Sequence, residues 1–400
     1  MIDYGPLIHD RIYFDREHIL ERQALYGFTQ AVKVETFLWD LELFGQLQRT
    51  LGNRVVLKGG AAAQLFFAPE RQRTSVDIDV IYLGDAALLP TVLASIHEAF
   101  GADDLYFKFS RHVPLSPRTK LPLETYFVSV PTATGRTPIN MKVDFHLMDH
   151  LDLQVTEIEG ASAFVIPLAF KPRCLSAGSL IGDKLLTLAQ GSIGIPPERE
   201  DDMPKQLYDL DGLSRVVKSQ DFEVIRHAME ELLEYELSVR SDKVSLERAL
   251  EQMVHQLERY AGLDSHKSDE HARTAVQNFR GNYEPQPFRD PIAWGVLSKR
   301  LQFLVRCIAG SVANPISYLQ RADRLETIIA FKEGKFKETK PGLLESLRKD
   351  FLDVLRSQGR PDVAKRLKNS RVERLLWEVL TESNAEEIEG TIVSVSQSGG

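Results

Sequence analysis

Cysteine is almost missing from this 400-residue chain. Cys174 and Cys307 are too few and too far apart for a disulfide framework, and each reads as a small buried hydrophobe rather than a nucleophile. No run of about eighteen uncharged apolar residues occurs, which excludes a membrane-spanning helix. The opening MIDYGPLIHD has no basic segment leading into an apolar one. No secretory signal is therefore read there, and a cytoplasmic protein is expected. An excess of positive charge is lacking too. A net charge of −8 argues against a general nucleic-acid coat protein but not against a local basic patch. No repeat period is visible, so a solenoid is excluded. What is present is ordinary for a soluble globular protein: 43% hydrophobic and 26% charged residues, in a length that suggests two or three domains.

One stretch organises the rest. Residues 54 to 80 read RVVLKGGAAAQLFFAPERQRTSVDIDV. The pattern predicts a short apolar strand (Val55, Val56, Leu57), a Lys-Gly-Gly turn, an alanine-rich helix start, a basic loop and a second strand. On that strand, period-2 alternation puts Asp77 and Asp79 on one face and Val76, Ile78 and Val80 on the other. Adjacent carboxylates on an apolar strand repel each other unless a cation sits between them. Mg²⁺ suits the task, since it takes one or two carboxylates and leaves positions open for phosphates. Gly59 and Gly60 have no side chains to keep a phosphate from their N–H groups, and Lys58 adds a point charge beside them.

This pattern resembles the signature of the nucleotidyltransferase superfamily of DNA polymerase beta type. The fuller form, LKGG at 57–60 followed by Arg73, Ser75 and DID at 77–79, resembles the AbiEii/AbiGii toxin family. Those proteins are the nucleotidyltransferase halves of bacterial abortive-infection and toxin–antitoxin pairs. The sixteen residues between Gly60 and Asp77 are a longer spacer than the superfamily usually has, so an enlarged loop is expected at 69–74.

Further along, INMKVDFHL at 139–147 alternates cleanly and predicts a strand with Asp144 on its polar face. A third carboxylate there suits two-metal phosphoryl transfer, in which one ion holds the triphosphate and the other activates the attacking hydroxyl. The superfamily resemblance assigns Asp144 that part; the alternative is a surface acid on an edge strand. A helix is predicted from about Ser176 to Gln190, and a second helix carries KQLYDLDGL. Their order resembles the remaining family motifs, which implies that Lys184 holds triphosphate oxygens and that Asp209 contacts nucleotide or orients the lysine. On composition alone both are helix-surface charges. Ser75 either hydrogen-bonds a phosphate or caps the turn before the strand. In the nucleotide site, phosphorylation of Ser75 would act as an off-switch.

Before these elements, residues 16 to 51 predict one or two helices with Leu38, Leu41, Phe44, Leu47 and Leu51 as a core stripe. A short helix is expected at 87–99 and strands near 104–110 and 123–130. From Leu105 to Leu123 there is no acidic residue, while Arg111, His112, Arg118 and Lys120 fall in this region. It is either a solvated hairpin tip or a grip for a polyanion. Beyond about residue 215 the pattern is wholly helical. Ser245 is an expected N-cap, and Pro291 and Pro341 each open a helix. Seven basic residues lie between Arg356 and Arg374, among them Arg360, Lys365, Arg366 and Lys368, against Asp362 and Glu373. They could contact RNA phosphates or simply keep the helices soluble.

The expectation is an α/β (α+β) core with a mixed sheet and a mostly helical C-terminal domain. Its divisions are a helical lead-in (1–50), a catalytic core (51–215), a bundle (216–385) and a flexible tail (386–400). The resemblance implies an enzyme that moves a nucleoside monophosphate from an NTP to an acceptor hydroxyl with two Mg²⁺ ions. It further implies a cognate antitoxin and, for some relatives, the 3′ end of tRNA as acceptor. The alternatives are a protein or small-molecule acceptor, or a nucleotide-binding pseudoenzyme.

Overall fold

The computed structural model describes residues 7–101, 106–113, 122–218, 221–239, 243–265, 269–310, 315–334, 341–384 and 386–391. Nine strands occur among them: β1 (Val55–Lys58), β2 (Asp77–Tyr82), β3 (Lys108–Arg111), β4 (Leu123–Val130), β5 (Ile139–Leu147), β6 (Val155–Glu157), β7 (Ser162–Ala163), β8 (Ile166–Pro167) and β9 (Arg173–Leu175). Seven form one sheet in the order β3-β4-β5-β2-β1-β9-β6, and β7 and β8 make a separate pair. β2 runs parallel to β5 and β1 parallel to β9, while the other neighbours are antiparallel, so the sheet is mixed as expected. Asp144 is therefore on a central strand flanked on both sides, not on an edge.

Two helices, α1 (Arg16–Tyr26) and α2 (Ala31–Leu51), lead into the sheet. The expected stripe of α2 is buried, but so is its polar side, because α2 packs on β1, β2 and β5 while other segments wrap over it. Glu42 accepts the N–H groups of Ile8 (2.9 Å) and His9 (3.1 Å). Glu35 accepts the N–H of Thr134 at 3.1 Å, fixing the loop before β5. These acids replace helix-surface solvation with buried hydrogen bonds, a reason amphipathic spacing alone does not show.

The order continues with α3 (Gly59–Gln64), α4 (Leu89–Ala99), α5 (Ala177–Leu186) and α6 (Met203–Ser214). Helix α5 stops four residues short of the expected end. The chain doubles back there, with the Ile195 N–H donating to Thr187 O at 2.8 Å. Gly194 permits this turn, since a Cβ would sit 2.6 Å from Thr187 O.

The helical half comprises α7 (Asp221–Val239), α8 (Leu246–Ala261), α9 (Glu270–Asn282), α10 (Pro291–Ile308), α11 (Pro315–Gly334), α12 (Pro341–Ser357), α13 (Pro361–Leu367) and α14 (Val372–Glu382). Ser245 caps α8 by accepting from Arg248 N, and Asp290 caps α10 by accepting from Ala293 N. This half does not stand apart from the sheet. Gly178 and Gly182, one turn apart on α5, bring α7 into backbone contact. A Cβ on Gly182 would lie 2.8 Å from Ala228 Cβ and 2.9 Å from Ile225 O.

Helix α10 forms the centre of the bundle and buries charge as well as Trp294 and Leu301. Arg300 is fully enclosed and donates to Asp323 through Nε and Nη2, both at 2.6 Å. The first residues of the stretch expected as a flexible tail, 386–391, are helical, because Ile388 is buried and Glu389 pairs with Arg321 at 2.7 Å. Cys174 and Cys307 are buried, and burial pushes both thiols up to about 12, which fits packing rather than nucleophilic use.

Candidate active site

A cleft of ≈ 400 Å³ opens on the sheet face that carries the Asp-x-Asp acids, and α5, α6 and α7 close it from the other side. Sheet register sets the acids. Asp79 lies opposite Asp144 on β5 and opposite Lys58 on β1, and Asp77 lies opposite Lys142. The same period-2 rule that groups Asp77 with Asp79 groups Lys142, Asp144 and His146 on the neighbouring strand. Gly59 makes room for this geometry. Its φ is +71°, and a Cβ would fall 2.1 Å from Asp79 Oδ2. Any side chain there would displace the carboxylate and strain the backbone.

The acids differ electrostatically. Burial would raise the Asp79 carboxyl, but His146 (Nε2 3.9 Å away), Lys58 and Lys142 outweigh it and hold the group down at about 2. Burial, then the charge of Asp79, pushes Asp77 up. The Asp77 carboxylate makes no hydrogen bond or ion pair among the described residues. Asp144 is satisfied on both oxygens: Oδ1 accepts from Thr125 Oγ1 at 2.6 Å and Oδ2 pairs with Lys142 Nζ. Lys58 donates to Asp183 Oδ1 at 2.9 Å.

The carboxylate oxygens in this arrangement fit a hard divalent cation. Asp77 and Asp79 offer carboxylate oxygens on one strand face, where burial and their mutual repulsion favour a bound cation. His146 adds a nitrogen, which Mg²⁺ does not favour. Among the described residues, one group places three ligand atoms within 4.8 Å of one another, Asp152, His227 and Glu231, and none of these lines the cleft.

Across the cleft sits a buried cationic cluster built on Asp209. This carboxylate is wholly enclosed and accepts from Arg73 Nε (2.8 Å) and Nη2 (2.6 Å), from Gln64 Nε2 (2.9 Å) and from Lys184 Nζ (2.9 Å). Lys184 also donates to Gln206 Oε1 at 3.0 Å. Burial would raise the Asp209 carboxyl, but Arg73 and Lys184 pull it below the usual range. Two cations on one carboxylate leave net positive charge facing the acids. Asp209 thus holds both Lys184 and Arg73 in place.

Arg73 reaches this position because the spacer runs inward. Gln72, Arg73, Thr74 and Ser75 are all buried. Gln72 Nε2 donates to Ser162 O at 2.8 Å, and Thr74 N–H to Tyr283 O at 3.2 Å. Of the segment expected as an enlarged loop, Pro69–Arg71 form a surface 3-10 turn, and the residues that follow run inward and are pinned. Ser75 lines the cleft at 5% exposure, its Oγ donating to Asp77 O at 3.5 Å. A Cβ on Gly60 would meet Arg73 Nη2 at 2.8 Å and Ser75 Oγ at 3.0 Å, so Gly60 keeps the cleft open at the cationic side.

Sequence reasoning quoted Arg73 as motif but gave it no part, and it passed over Lys142 and Asp183. Lys142 alternates with Asp144, a signal that was available. Asp183 adjoins Lys184 and carried none. Asp40 was missed as well: it lies at 0% exposure on α2 with neither oxygen hydrogen-bonded among the described residues. Burial first, then Asp77 and Asp79, push its carboxyl well above the usual range.

The basic residues read as RNA contacts separate into two groups. Arg360 is occupied by Glu378, a residue outside the window in which charges were counted, and Arg374 is fully buried against the same acid. Lys365, Arg366 and Lys368 are exposed and make no ion pair or side-chain hydrogen bond among the described residues. Arg111 pairs with Glu124 on the adjacent strand, and Arg118 and Lys120 lie outside the described residues.

Residues 43–296 match the family described as "Nucleotidyl transferase AbiEii toxin, Type IV TA system". Among solved structures, MenT4, a nucleotidyltransferase toxin of Mycobacterium tuberculosis H37Rv, is similar at 13% identity and a TM-score of 0.44, covering 76% of this chain and 92% of its own. JHP933 of Helicobacter pylori is similar at 15% identity and a TM-score of 0.32, covering 74% and 98%. No curated protein matches the sequence. No described helix is long and apolar enough to cross a membrane. With the family matched over more than half of its length, the chain belongs to the AbiEii nucleotidyltransferase toxins of type IV toxin–antitoxin systems.

Proposed function

We propose that this nucleotidyltransferase uses Mg²⁺ to transfer a nucleoside monophosphate from an NTP to the 3′-terminal hydroxyl of tRNA, releasing pyrophosphate, and that an antitoxin encoded beside it restrains it. The observation that carries the reading is the facing of two charge sets across one cleft: Asp77, Asp79 and Asp144 on adjacent strands, and Arg73 with Lys184 on Asp209.

In this reading Asp77 and Asp79 hold the cation. When bound, it supplies charge neutralisation at the α-phosphate. Arg73 and Lys184 bind the β- and γ-phosphate oxygens, their side chains already fixed by Asp209, so little ordering remains to be done on substrate binding. Gly59 and Gly60 let the backbone approach the phosphates, with Lys58 and Ser75 beside them. Asp144 stands opposite Asp79, where it can take up the acceptor hydroxyl's proton as the new phosphodiester bond forms and the bond to pyrophosphate breaks. Catalysis is then chiefly positioning and charge stabilisation. The tRNA acceptor rests on the family resemblance and on the exposed Lys365, Arg366 and Lys368.

The test is transfer of label from each α-labelled NTP into purified tRNA, with a tRNA oxidised at its 3′ end beside it. Label that enters intact tRNA and not the oxidised form supports the reading. Label in protein would keep the chemistry and move the acceptor.

A further inference from the structure

The acids of the cleft do not carry equal vacant charge. The Asp77 carboxylate faces the cleft with no hydrogen bond or ion pair among the described residues and Asp79 has His146 Nε2 at 3.9 Å, whereas both oxygens of Asp144 are taken, one by Thr125 and the other by Lys142. Lys142 comes from two residues earlier on the same strand face and lies opposite Asp77, so its ammonium sits over the acid triad by register. The other lysines near the acids are neutralised, Lys58 by Asp183 and Lys205 by Asp202. Three carboxylates and one ammonium leave two net negative charges, which a single divalent cation balances.

Resting on the metal-dependent reading above, we infer that Lys142 supplies the second positive charge of the site, so that the protein binds one divalent cation where a two-ion arrangement would place two. A second ion bound between Asp79 and Asp144 would have to displace the ammonium from Asp144 and would share the cleft with it. Two-ion sites hold their metals about 4 Å apart, at which distance an added ammonium is strongly unfavourable. Lys142 is a positioning residue in this account. It fixes Asp144 together with Thr125 and leaves one carboxylate pair for metal.

Mn²⁺ titration of the purified full-length protein, followed by electron paramagnetic resonance, reads the count without turnover. The wild type is expected to bind one Mn²⁺ per chain and to give the six-line spectrum of an isolated ion. Lys142→Met, whose side chain is 41% exposed in the native residue and so is easily replaced, is expected to bind two and to show exchange coupling. Lys142→Arg, which keeps the charge, should bind one. Asp144→Asn should change the affinity of the wild-type ion less than threefold, because Asp144 does not ligate it. Two coupled ions in the wild type, one ion in folded Lys142→Met, or a tenfold weakening in Asp144→Asn would each overturn the inference. Absence of bound Mn²⁺ from the wild type would instead remove the metal reading on which it rests.

Discussion

Asp209 is a buried side chain that gathers two cations beside the cleft. It holds Arg73 through two nitrogens and Lys184 through one, at full burial. Removing one member of such a group leaves buried charge uncompensated. Asp209→Asn is therefore expected to lower unfolding stability by about 3–5 kcal/mol, measured by urea titration. Gly59 fixes the opposite wall. Gly59→Ala places a methyl group 2.1 Å from Asp79 Oδ2 and is expected to cost at least ~100-fold in transfer rate with circular dichroism unchanged, the usual penalty for an ångström of misplacement. Asp40 gives a pH signature. Its folded-state carboxyl is raised, so the folded protein keeps a proton that the unfolded chain gives up. Its contribution to stability is complete below the ordinary aspartate range and is lost as pH rises through and above it. Asp40→Asn keeps the neutral shape without the titration. The melting temperature of the variant, relative to wild type, should be higher at pH 8 than at pH 4. A constant difference across that range would show that Asp40 does not titrate this way.

At the scale of elements, β1, β2, β5 and α3 could be read from alternation and from the Lys-Gly-Gly break, because their two faces differ in polarity along the chain. Asp77, Asp79 and Asp144 were visible for the same reason. Helix α2 was legible only in part: its acids are buried by segments distant in sequence, and spacing holds no record of them. The part Arg73 plays was hidden because a basic residue in a spacer looks like surface until the spacer is seen pinned beneath Tyr283 and β7. Contact between α5 and α7 follows from Gly178 and Gly182, yet the sequence shows only two glycines in a helix and not their partner. That contact matters to the cleft, which α7 lines with Leu232, Tyr235 and Glu236. Gly182→Ala would press a methyl group against Ala228 and Ile225 O. It is expected to destabilise the fold by about 1–3 kcal/mol and, by pushing α7 outward, to raise KM for NTP more than it lowers kcat.

For the whole molecule, the charge count over 356–374 overstated what is available to a polyanion, because Arg360 and Arg374 serve Glu378 inside the bundle. If tRNA is held there, Lys365, Arg366 and Lys368 do it. Replacing all three by alanine should flatten the salt dependence of tRNA binding by up to about 3 in log–log slope, since each phosphate contact contributes roughly 0.9. An unchanged slope would place the tRNA elsewhere. The central claim is that the carboxylates of β2, facing Arg73 and Lys184, make this chain a nucleotidyltransferase that acts on RNA. Its most direct measurement is incubation of the purified protein with total RNA, Mg²⁺ and each labelled NTP in turn, beside an Asp77→Ala control. The account predicts label from one NTP in a tRNA-sized band, absent from the control. Equal labelling by the Asp77→Ala protein, or no labelling of RNA by any of the four nucleotides, would contradict it.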